Sequence, residues 1–184
     1  ELHGPRILHL ATHGFFFPDE DTTEVVVNPV EPSPESLMLT LAKNPMMRSG
    51  LALAGANVRR ESEIDDGILT AAEVSKLDLR GTQLVVLSAC DTGTGHVQQG
   101  EGVYGLRRAL VLAGAETQVV SLWKVDDAAT QSLMEDYYER LIKKGEGRSE
   151  ALRSAQLRIK SNPLYRHPFF WAAFLPIGNW TPLH

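Results

Sequence analysis

A chain of 184 residues, 43% apolar and 22% charged, can bury one good core and reads as a single globular domain over 1–184. The net charge of −5 comes with no Lys/Arg-rich block to neutralise a row of phosphates, which excludes nucleic acid as a main partner. One cysteine forbids an internal disulfide, and no apolar run reaches the roughly 18 residues of a spanning helix. No membrane association is expected, and a cytoplasmic location is.

In chain order, residues 6–12 form an apolar run that ends in His13-Gly14 and predicts a strand. Residues 17–35 carry Pro18, Pro29, Pro32 and Pro34 among several acids and predict a flexible loop. The runs 37–41 and 50–55 around Asn44-Pro45 predict a β-hairpin, and the charged stretch 58–67 a second mobile loop. Loop ordering over 15–36 and 56–68 is where activation would act. Thr70, with Glu73 three positions on, predicts a capping box.

A second strand, 83–89, runs directly into Cys90. Apolar residues at 103, 106, 110 and 113 predict a helix stopped at Gly114, followed by a strand over 117–122. Asp126 or Asp127 caps the next helix, which closes at Lys143-Lys144-Gly145; Ser149 caps another that runs to about Ile159. The run 170–176 predicts a last core strand. Strands apolar on both faces, alternating with helices, predict an α/β fold with a mostly parallel sheet.

Two strand ends carry the chemistry. An imidazole, His13, and a thiol, Cys90, stand at the carboxyl ends of two predicted strands, where open α/β sheets build their sites. A free thiol is only a few per cent ionised at neutral pH, so a neighbouring imidazole must orient it, take its proton and later protonate the leaving amine. Gly14 permits a sharp turn, and its N–H, with that of Cys90, can face a developing oxyanion. The plain alternatives are a buried structural cysteine and a structural histidine. His9 and His13 share an i, i+4 spacing, but on a strand that is two steps of one face. No acid between them and no cysteine pair complete a metal site, so no metal is expected.

Five stretches then name a family: residues 8–14, 87–93, 100–109, 113–130 and 167–174. With these phrases, from His13-Gly14 and Cys90-Asp91-Thr92-Gly93 to Ser121-Leu122-Trp123, the chain resembles the CHAT domain, a member of the caspase-like cysteine peptidases related to separases. The resemblance implies a caspase-like three-layer α/β/α sandwich, apparently lacking its first strands, as the C-terminal part of a longer bacterial protein. It implies His13 as general base and acid, Cys90 as nucleophile, an acyl-enzyme intermediate and no cofactor. It implies a protein substrate added as a strand beside Ser121-Leu122-Trp123. It further implies a regulatory TPR or other sensor module, with a role in bacterial stress or defence signalling.

In separases an acidic residue four positions after the matching Trp selects a basic P1 side chain, and Asp127 holds that position here. Asp91 is a second candidate for the same pocket, and helix capping is the competing role for Asp127. Two rivals stand beside an endopeptidase. One is a catalytically silent CHAT interaction or scaffold module; the other is a cysteine hydrolase or acyltransferase acting on a small thioester or amide.

Overall fold

The computed structural model describes residues 4–16, 45–56, 67–88, 90–91 and 101–184. Its centre is a four-stranded sheet in the order β1 (Ile7–Leu10), β5 (Leu84–Leu87), β7 (Thr117–Ser121), β8 (Phe174–Gly178). The first three strands are parallel and β8 is antiparallel to β7. A smaller sheet runs β4 (Ile68–Thr70), β3 (Ser49–Ala52), β2 (His13–Phe16), β6 (Cys90–Asp91). The described helices are α1 (Pro45–Arg48), α2 (Ala71–Val74), α3 (Glu101–Ala113), α4 (Asp127–Tyr138) and α5 (Arg148–Ser161). One π-helical turn, Glu139–Lys143, extends α4.

Strand alternation divides the interior into two faces. Leu84, Val86 and Val119 pack with Leu133, Tyr137, Leu152 and Ile159 of α4 and α5. Val85, Leu87 and Val120 point the other way, onto Val74 of α2 and Leu106 and Leu110 of α3. The result is the expected three-layer α/β/α arrangement, a caspase-like fold with a mostly parallel central sheet.

Buried polar groups pin the helices to this frame. The wholly buried Arg148 donates to Thr117 Oγ1 and Glu116 Oε2, each at 3.2 Å, fastening the start of α5 to the start of β7. Buried Asp136 accepts from Arg140 Nε at 3.0 Å and pairs with Arg158 Nη1 at 3.2 Å, joining α4 to α5. The C-terminal tail closes the lower rim of the sheet, where the His184 N–H donates to Gln83 Oε1 at 3.0 Å.

Several local expectations hold. Thr70 and Glu73 form the reciprocal capping box on α2. Helix α3 ends at Gly114, whose φ of 101° is open to glycine at little steric cost. Others need correction. The first strand stops at Leu10, and His13 opens a strand of the second sheet. No hairpin forms with 50–55 as its second arm: 45–48 are helical, and β3 already has β2 on one side and β4 on the other. The arm expected at 37–41 lies outside the described residues.

Ser149 does not cap α5. The helix starts two residues earlier than that cap would place it, at Arg148, with Gly147 in the cap position, because the buried Arg148 guanidinium fixes the first turn. The last strand is displaced to 174–178; Pro168–Phe170 form a 3₁₀ turn capped by His167 Nδ1. The loops expected over 17–35 and 58–67 lie outside the described residues, Gly67 apart, while Phe15 and Phe16 belong to β2 and Ile68 to β4.

Candidate active site

The two strands that carry the candidate pair run in one register through both sheets. Ile7 pairs with Leu84 and Leu10 with Leu87 in the central sheet. The Ser88 N–H then donates to the Leu10 carbonyl at 3.0 Å. Three residues past Leu10 the pairing resumes, His13 with Cys90 and Gly14 with Asp91. Both ladders have the same sequence offset, 77 positions (Leu84 less Ile7, Cys90 less His13). Adjacent strands lie about 4.8 Å apart, so the backbone sets His13 and Cys90 directly opposite one another.

On its other side β2 pairs antiparallel with β3, His13 opposite Ala52 and Gly14 opposite Leu51. The Thr12 hydroxyl donates to the Ala52 carbonyl, fixing the entry of β2. Thr12 is a supporting residue that sequence reasoning passed over; a hydroxyl between an apolar strand and His-Gly was the available signal. His13 is solvent-exposed and Gly14 is buried.

The remaining candidates sit at the carboxyl end of β7. Ser121 is buried and pairs with Phe174 of β8, while the Leu122 N–H donates to the Ala173 carbonyl at 2.9 Å. Trp123 packs against the α4/α5 side of the core, and its indole N–H donates to the Phe169 carbonyl at 3.0 Å. Phe169 thereby joins this rim, a residue the sequence offered only inside an apolar run.

The choice between the two acids is resolved at the helix start. Asp126 is the N-cap of α4 and its Oδ1 accepts from the Ala129 N–H at 3.0 Å, whereas Asp127 is exposed in the first turn. The Asp127 side chain makes no hydrogen bond or ion pair among the described residues, so its carboxylate is not consumed by capping.

His9 lies apart from this end. Its Nδ1 is 2.9 Å from the Tyr138 hydroxyl, and burial against that ring lowers its pKa below the ordinary histidine value. Among the described residues no cluster of three His, Cys, Asp or Glu could hold a metal ion. No helix among them is long and apolar enough to cross a membrane.

A family model described as the CHAT domain matches residues 1–179. The chain belongs to the CHAT domain family. Among curated proteins, this CHAT domain is 38% identical over 112 residues to human tetratricopeptide repeat protein 28, and 37% identical over 113 residues to the mouse protein of that name. Each alignment covers 61% of the chain and 4% of the much longer relative.

Proposed function

We propose that this CHAT domain is a cysteine endopeptidase that cleaves a protein substrate through Cys90 and His13. The observation that carries the reading is the register pairing of His13 with Cys90 on adjacent parallel strands. A pair left facing apart could not pass a proton.

In the proposed cycle, His13 takes the thiol proton and the Cys90 sulfur attacks the scissile carbonyl carbon, forming a C–S bond. The N–H groups of Gly14 and Cys90 hold the oxyanion, the C–N bond breaks, and imidazolium His13 protonates the departing amine. Water, deprotonated by His13, then cleaves the thioester and restores the thiol. No metal or organic cofactor takes part. The substrate strand lies beside Ser121-Leu122-Trp123. Asp127, free of capping duty, receives a Lys or Arg at P1, with Asp91 next to the nucleophile as the second acid of the pocket.

Regulation by an attached or partner module of the TPR kind is part of the reading, supported by the name of the two mammalian relatives. A setting in bacterial signalling or defence rests on the family resemblance alone.

The test is covalent labelling. An arginyl chloromethyl ketone should add to Cys90, seen by peptide mass mapping, and fluorogenic peptides ending in Arg should be cut faster than those ending in Asp. His13→Ala should lower both by about a hundredfold or more. A chain that neither labels nor cleaves is the scaffold module instead. Faster cleavage after Asp removes the role given to Asp127.

A further inference from the structure

On the opposite end of β7 from the candidate pair, helix α3 and strands β7 and β8 enclose a shallow groove of about 230 Å³. It is lined by Tyr104, Arg107, Arg108, Val111, Gln118 and Ile177. Positions 104, 108 and 111 follow the helical i, i+4, i+7 spacing, so they form one stripe beside the core-facing stripe of 106, 109, 110 and 113. This second stripe is uncovered: Tyr104 and Val111 are 60% and 59% exposed.

The polar groups here are unmatched among the described residues. Neither Arg107 nor Arg108 has an ion-pair partner among the described residues, and Arg107 Nε is buried without a hydrogen bond. Gln118 is 1% exposed; its Nε2 donates to the Arg107 carbonyl at 3.0 Å, which fixes the amide orientation and leaves Oε1 as a buried acceptor with no donor among the described residues. In a chain of net charge −5, two guanidinium groups with no partner among the described residues, set between apolar side chains, are a local reversal of sign.

We propose that this groove is a docking site for an acidic peptide segment of a partner protein. A carboxylate side chain answers the guanidinium pair, a main-chain N–H answers Gln118 Oε1, and flanking aliphatic residues cover Tyr104, Val111 and Ile177. An open groove suits an extended segment better than an enclosed small molecule. The site is independent of the peptidase reading, since its occupancy requires neither His13 nor Cys90.

Fluorescence anisotropy of the chain with a fluorescein-labelled peptide amide of alternating Leu and Glu tests this. The probe holds no basic residue and so is a poor substrate for the proposed cleavage. Saturable binding that weakens with salt is expected, with a loss of about tenfold or more when Glu is replaced by Gln in the peptide. Arg108→Glu, at an exposed position, should cost at least as much while leaving the circular dichroism unchanged, and Gln118→Leu should weaken binding separately. Displacement by succinate only far above the peptide's Kd assigns the site to a peptide; equal potency of succinate assigns it to free carboxylates and overturns the proposal. Absence of binding up to about 1 mM, equal binding of the Gln peptide, or indifference to Arg108→Glu also overturns it.

Discussion

Asp126 and Asp127 are adjacent acids with separable work. Asp126→Ala removes the bond to the Ala129 N–H and should lower stability by about 1 kcal/mol in urea unfolding, with P1 preference intact. Asp127→Ala, at a side chain with no bond to lose among the described residues, should leave the unfolding curve in place and erase the proposed preference for Arg over neutral P1 residues. Exchange of these outcomes would reassign both roles. Sequence alone left the two acids open because either satisfies the N-cap pattern; only the backbone at 126 decides which one turns back onto the helix.

His9 gives a pH dependence with a definite sign. Although the residue keeps a solvent-facing edge, desolvation beside Tyr138 depresses its folded pKa below 6.5. Below that value the unfolded chain therefore binds the proton more readily than the folded one. Stability from this group is complete above 6.5 and falls as the pH drops through 6.5 toward the depressed folded value. Urea unfolding at about pH 7.5 and 5.5 should show the loss in the native chain and a smaller one in His9→Gln.

At the scale of elements, legibility followed the strength of local chemistry. The capping box on α2 and the glycine stop of α3 were readable because each is written within a few residues. Thr70→Ala should cost about 1 kcal/mol by the loss of its bond to the Glu73 N–H. The start of α5 was not readable: its first turn is set by Arg148 reaching Glu116 and Thr117, partners more than thirty positions away. The hairpin reading failed for a similar reason, since β3 finds its neighbours in β2 and β4 and local spacing says nothing of distant partners.

Strand β8 ends on a glycine whose need is tertiary. Gly178 has φ of 107°, and an added Cβ would lie 2.2 Å from the Glu116 carbonyl oxygen. Gly178→Ala should therefore destabilise the chain by about 2 kcal/mol or more, against a smaller loss of about 1 kcal/mol for a Gly81→Ala control, where the positive φ strains an alanine but no atom is struck. Equal losses at both sites would mean that φ alone, not the collision, sets the requirement.

For the whole molecule, the layered fold was legible in the apolar runs of β5 and β7, whose alternate residues feed two opposite cores. That the candidate pair rides on a second sheet was not legible. A largely apolar run into His13 gives no sign of whether the strand ends or passes to new neighbours. An alanine inserted after Ala11 separates the two sheets' demands: β1 can still seat Ile7 and Leu10 against β5, while His13 moves off the level of Cys90. The expected result is a cooperative unfolding transition with ketone labelling abolished; retained labelling would mean that the ladder is not what aligns the pair.

The shared offset across both ladders ties greasy packing to the placing of the candidate pair. Were β1 to slide one notch along β5, Ile7 would be turned out of its place among the α4 and α5 side chains in the same movement that parted His13 from Cys90. The interior thus serves as a ruler for the tip, where the aversion of hydrocarbon for water opposes misalignment alongside the Thr12 anchor on Ala52.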